Sequence, residues 1–114
     1  MEIDATLAAR MKEKYPSVSV HNADFLEFDL DEIAGIDKEN VKVAFIGNLP
    51  YDCATAILLR TLAFSGFGAA VFMFQREVAE KIMAAAGDPD YGYLSVAAQV
   101  QSEVKLLAEV PAGS

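Results

Sequence analysis

The sequence predicts an α/β fold, an open sheet of short parallel strands with helices between them. Three observations carry that prediction. Residues 41–46 form a short apolar run rich in β-branched and aromatic side chains, Val41-Lys42-Val43-Ala44-Phe45-Ile46, as a parallel strand covered on both faces requires. Residues 69–74 form a second such run. Each run is followed by a stretch in which apolar residues recur at helical spacing, 52–64 and 75–86. In open α/β sheets ligands bind outside the carboxyl ends of the strands, so the residues leaving the first run are the first place to look for a site.

In chain order, Glu2-Ile3-Asp4 reads as the end of a strand, followed by a helix over about 5–14 with Asp4 as its N-cap and Leu7, Ala8 and Met11 on one face. Pro16 closes that region. Residues 18–21 alternate as a short strand leading into Asn22-Ala23-Asp24-Phe25. His21 reads as structural, because no Ser, Cys or second His stands at a motif spacing from it. Residues 27–40 are an acidic connection with one helical turn at 31–34 before Gly35. Gly47 then ends the strand of 41–46. Pro50 lacks an N–H and biases Leu49 away from helical torsions, so 48–51 leaves the sheet as an extended loop. Asp52 or Thr55 caps a helix to about Phe64, with Ala54, Ile57, Leu58 and Leu62 as its buried stripe. Ser65-Gly66-Phe67-Gly68 ends it. After the strand at 69–74, the helix at 75–86 places Val78, Ile82 and Met83 at core spacing, and Gly87-Asp88-Pro89-Asp90 stops it. A short helix at 94–100 and a strand at 104–110 complete the prediction.

Composition bounds what such a chain does. With 114 residues, 54% hydrophobic and 23% charged, it is globular with one core and one domain, 1–114. The uncharged stretch 61–75 is interrupted by Ser65, Gly66 and Gly68, which predicts no membrane span. The first dozen residues carry Glu2, Asp4, Arg10 and Lys12 around no apolar core, unlike a secretory signal. A lone Cys53 forms no internal disulfide and fits a reducing, cytoplasmic location. No His/Cys cluster predicts a metal site. Nine basic residues, scattered along the chain, face seventeen acidic ones, for a net charge of −8. A protein that binds RNA gains much of its affinity from cations that neutralise phosphates, so this segment is not expected to bind RNA by itself.

The loop Asn48-Leu49-Pro50-Tyr51 carries the chemistry. An Asn amide offers an acceptor and a donor, and a neighbouring Tyr ring offers a face for stacking. Together they suit an exocyclic amine on an aromatic ring. Taken alone, Asn-x-Pro-Tyr is more often a plain turn. Two further blocks change that: Phe72-Met73-Phe74-Gln75-Arg76-Glu77-Val78-Ala79 and Tyr91-Gly92-Tyr93-Leu94-Ser95-Val96. In this order and at this spacing the three blocks resemble those of the ribosomal RNA adenine N6,N6-dimethyltransferases, and the likeness runs from Glu2 to Pro111.

The resemblance implies a Rossmann-like, S-adenosylmethionine-dependent methyltransferase fold, present here as part of the catalytic domain. It implies that the whole protein dimethylates adenine N6 in small-subunit rRNA, with the immature small ribosomal subunit as partner. It assigns the catalytic tip to Asn48, Leu49, Pro50 and Tyr51. Cofactor binding falls to Glu2, which accepts from ribose hydroxyls, to Asp24, which accepts from the cofactor's adenine amino group, to Phe25, which packs on that ring, and to Asn48. No metal is implied.

Parts of the family pattern are absent from 1–114. These are a first strand with its Gly-rich cofactor loop, a Phe-Pro-Pro-Lys-Val segment, the last strand and a helical RNA-binding domain. In the family's strand order, 3-2-1-4-5-7-6, strand 1 is central, so the segment alone is expected to be inactive. Tyr93 also stands where many members have Arg. Two other readings remain open: a non-catalytic ribosome-assembly factor, and a methylase for large-subunit rRNA, DNA adenine or protein glutamine.

Overall fold

The computed structural model describes residues 1–30 and 42–111. They fall into two compact units, residues 1–42 and 43–114. The helical turn expected at 31–34 lies outside the described residues.

The first unit is built around α1, Ala5–Lys14. Asp4 is its N-cap, and the Asp4 carboxylate accepts from Leu7 N at 3.0 Å. That bond satisfies one of the amide hydrogens a helix start leaves without an intrahelical acceptor. Lys12 and Lys14 occupy the last turn, where positive charge meets the exposed carbonyl end favourably. Beside the helix, Glu2 and Asn22 form an isolated parallel bridge, with Glu2 N donating to His21 O at 2.9 Å and Ala23 N donating to Glu2 O at 3.0 Å. The strands expected at 2–4 and 18–21 therefore shrink to this single bridge. His21 packs its ring on Phe28, centroids 5.1 Å apart, which accords with a structural role.

The second unit holds a parallel pair, β1 Val43–Asn48 and β2 Phe67–Met73. Helix α2 (Ala54–Ala63) lies between the two strands, and α3 (Arg76–Met83) and α4 (Tyr93–Gln101) follow β2. One sheet face, carrying Phe45, Phe67 and Phe72, meets the helices. Phe67 and Phe72 pack against a buried cluster of Leu58, Leu62, Ile82 and Ala98, joined by Val78 and Leu94. Aromatic edges tie the same face together: Phe45 meets Phe64 edge-on at 6.0 Å and lies over Phe67 at 6.4 Å, within the range where ring pairs attract. Inside α2, Thr61 is fully buried and its hydroxyl donates to Ile57 O at 2.8 Å.

The opposite face departs from expectation. Residues alternate along β1 between half-buried and exposed, with Ile46 88% exposed and Val71 and Met73 at 49% and 44%. The pair is therefore covered on one face only. The register places Ala44 by Ala69, Ile46 by Val71 and Asn48 by Met73 on the uncovered side. A continuous apolar run predicts cover on both faces, but that cover must come from other chain, and none of the described residues of this unit supplies it. Three boundaries also move. Gly47 lies inside β1 rather than ending it; a Cβ there would stand 3.3 Å from Leu49 Cδ2, so glycine allows that leucine to fold back. The strand β2 begins at Phe67, two residues early, and α3 ends at Met83. Residues 104–110 have strand-like composition but form no strand, although Val104 still packs on the core.

Candidate functional site

The Asn48-Leu49-Pro50-Tyr51 tip occupies the carboxyl end of β1. Asn48 is the strand's last residue, paired in register with Met73, and Leu49 N donates to Met73 O at 3.3 Å. The strand pairing thus extends one residue past Asn48 before the chain turns. Pro50 cannot donate to a ladder and ends the pairing. Cys53 N then donates to Pro50 O at 3.4 Å, and α2 starts at Ala54 with Cys53 as its N-cap. Neither Asp52 nor Thr55, the expected caps, takes that place.

Asn48 is exposed, and its amide makes no hydrogen bond with a described residue. Tyr51 is 66% exposed. A polar amide and an aromatic face therefore stand open at one end of a parallel pair, anchored by backbone on both sides. Leu49, in contrast, is half-buried; its side chain belongs to the packing and its peptide group to the tip.

The other candidates lie in the first unit. Glu2 is half-buried, and its Oε1 accepts from Asp4 N at 3.0 Å. Asp24 is half-buried, and its Oδ1 accepts from Leu26 N at 2.9 Å. The bridge between Glu2 and Asn22 brings the two carboxylates to the ends of neighbouring segments, each oriented by one bond to its own backbone. A carboxylate has about four acceptor positions, so both retain capacity for a ligand's hydroxyl or amino donors. Phe25, half-buried beside Asp24, brings an apolar ring. The first unit thus holds two acceptor carboxylates and an aromatic side chain near the Glu2–Asn22 bridge. These three residues belong to the first unit and the tip to the second.

Some contributors were not legible from the sequence. The Asn22 side chain donates to both Glu2 O and Ile3 O at 3.0 Å, tying down the segment that carries Glu2. Ser95 and Gln99 bond from α4 to carbonyls at the end of α3, and nothing in their spacing announces it. Among the described residues no group of three His, Cys, Asp or Glu gathers as metal ligands would.

A helix after each of two parallel strands, and an open polar-aromatic loop at the carboxyl end of the first, define the α/β class that binds its ligands at strand ends. Within that class, the family described as ribosomal RNA adenine dimethylase matches residues 1–113, and the chain belongs to it. It is 37% identical over 118 residues to the ribosomal RNA small subunit methyltransferase A of Acidobacterium capsulatum, covering all of this chain and 41% of that protein. The proteins of the same name from Alkaliphilus oremlandii and Latilactobacillus sakei are 38% and 42% identical, over 97% and 96% of this chain and 40% and 39% of theirs. The chain thus spans about two fifths of the length of these curated relatives.

Proposed function

We propose that this segment is the base-presenting middle of an enzyme that transfers methyl groups from S-adenosylmethionine to adenine N6 in small-subunit rRNA. The observation that carries the reading is the match over 1–113 together with an open Asn48 amide at the end of a parallel strand. When bound, S-adenosylmethionine supplies an electrophilic methyl group. Glu2 accepts from its ribose hydroxyls, Asp24 from its adenine amino group, and Phe25 packs on the ring.

An adenine amine is a weak nucleophile because its lone pair is delocalised into the ring. Asn48 Oδ1 and the Leu49 carbonyl accept its two hydrogens, which favours a pyramidal nitrogen with a directed lone pair. Pro50 fixes the turn that aims those acceptors, and Tyr51 stacks on the target base, an interaction worth about 1–3 kcal/mol. No side chain is needed as a base before transfer, since the nitrogen becomes acidic only once it is methylated. The base itself reaches the tip flipped out or from a loop.

The test joins residues 1–114 to the flanking portions of the Acidobacterium capsulatum relative, in place of its matching segment. The chimera is assayed for N6-dimethyladenosine formation on immature small subunits. Methylation that Asn48→Ala reduces by on the order of a hundredfold is the expected result. A folded chimera that binds the subunits and methylates nothing would favour the assembly-factor reading. Methylation of large-subunit rRNA, DNA adenine or protein glutamine instead would move the assignment to another amino-methyltransferase.

A further inference from the structure

The tip is held inside a closed ring of structural elements, and one joint in that ring is reinforced by side-chain hydrogen bonds. Residues 48–51 run from β1 into α2. Helix α2 packs against α4 through Leu58, Leu62 and Ala98. In turn α4 meets α3, α3 follows directly from β2, and β2 pairs with β1 beside Asn48 and Leu49. Backbone continuity, strand pairing or apolar packing makes every link, and one link carries side-chain hydrogen bonds as well.

That link is the contact of α4 with the end of α3, where Ile82 and Ala98 share the buried cluster. There the Ser95 hydroxyl donates to Lys81 O and accepts from Gly92 N at 3.2 Å. Gln99 Nε2 donates to Ile82 O at 2.9 Å and to Ala84 O at 2.8 Å. A helix leaves its last four carbonyls without intrahelical donors, and α3 ends at Met83 with its neighbouring residues Ile82 and Ala84 buried. The connection that follows is fixed too: Ala85 N donates to the Asp88 carboxylate at 2.9 Å, and Gly87 takes φ +100°, where a side chain would be strained. Buried carbonyls need partners, and two side chains one helical turn apart on α4 supply them.

We infer that Ser95 and Gln99 are positioning residues for the Asn48-Leu49-Pro50-Tyr51 tip, acting through α3 and β2. The inference rests on the proposed function insofar as the tip is the reacting site. Helix α3 has eight residues, about 12 Å at 1.5 Å per residue, too short to bend gradually. Pinning its carboxyl end therefore fixes its amino end, where Gln75 O accepts from Val78 N and Ala79 N. Two residues before Gln75 is Met73, whose carbonyl holds Leu49 N. Releasing the joint leaves α3 held on α4 by the apolar contacts of Val78 and Ile82 with Leu94 and Ala98 alone, which loosens the end of α3 and, through β2, Leu49.

Residue-resolved amide exchange on the 114-residue chain tests this. Gln99 is exposed at the residue level, so Gln99→Met removes both donors without crowding the core, whereas Gln99→Lys keeps donors for the same carbonyls. The expected result is Leu49 exchange about fivefold to tenfold faster in Gln99→Met, near the wild-type rate in Gln99→Lys, with the amides in the middle of α2 unchanged in both. Unchanged Leu49 exchange in Gln99→Met, or equal acceleration in Met and Lys variants, overturns the inference, and so does uniform acceleration across α2. Should Gln99→Met not fold, Ser95→Ala is read by the same criteria. In the methylating chimera, Gln99→Met is expected to lower kcat several-fold at constant KM. A chimera inactive from the start would remove the proposed reaction and leave the exchange result standing.

Discussion

In the proposed reaction Asn48 and Tyr51 share an address but do different work, and substitution separates them. Asn48 contributes acceptor geometry, so Asn48→Ala in a completed enzyme lowers turnover far more than RNA affinity; parallel loss of both, measured as kcat and as subunit binding, would assign it to holding RNA. Tyr51 contributes a ring. Tyr51→Phe retains at least about half the activity, whereas Tyr51→Ala loses on the order of tenfold or more, from about 1–3 kcal/mol of stacking. A large defect in Tyr51→Phe would reveal a contact through the hydroxyl. At this scale much was legible. Asp4 as a cap and the stripe Ala54, Ile57, Leu58 and Leu62 followed from local rules, and the structure buries that stripe as expected, whereas Asn48, expected in the loop beyond the strand, is the strand's last residue. Asn22, Ser95 and Gln99 were not legible because their partners are backbone carbonyls up to 20 residues away in sequence, and a carbonyl has no sequence signature.

Elements were legible where their information is local and lost where it is not. Helix α1 lies on its expected residues because a cap and a periodic face specify it within the segment. Residues 104–110 have the composition of a strand and form none, because a strand exists only with a partner to receive its hydrogen bonds. The same reasoning covers the bare side of β1 and β2, since apolar composition shows which surface prefers burial but does not provide the cover. Two substitutions read this out in the 114-residue chain by urea unfolding. Leu58→Ala, inside the buried cluster, costs about 2–5 kcal/mol. Ile46→Thr, on the bare face, changes stability by less than about 0.5 kcal/mol, because an 88% exposed side chain has little to lose. In the methylating chimera the same Ile46→Thr is expected to cost about 1–3 kcal/mol if flanking chain buries that face; equal small effects in both would show that the face stays wet.

For the whole molecule, charge and completeness matter more than any single contact. The 114-residue chain is expected to bind neither S-adenosylmethionine nor rRNA at micromolar concentration, and isothermal titration measures both. A net charge of −8 repels phosphate. In the proposed mode Glu2 and Asp24 would reach only the ribose and adenine portions of the cofactor, and the Gly-rich turn expected to meet its methionine end is not part of 1–114. Stoichiometric micromolar binding of S-adenosylmethionine would overturn that expectation.

The one-sided sheet also determines how such a chain would fare in a cell as a separate polypeptide. Among the described residues β1 and β2 are each other's only strand partners, so each offers one open backbone edge, next to a surface carrying Ile46, Val71 and Met73. Open edges beside an apolar surface invite strand addition by any extended chain nearby. The survival of the polypeptide would then be a race between chaperone capture, proteolysis and self-association, with its lifetime set by how soon a covering partner arrives.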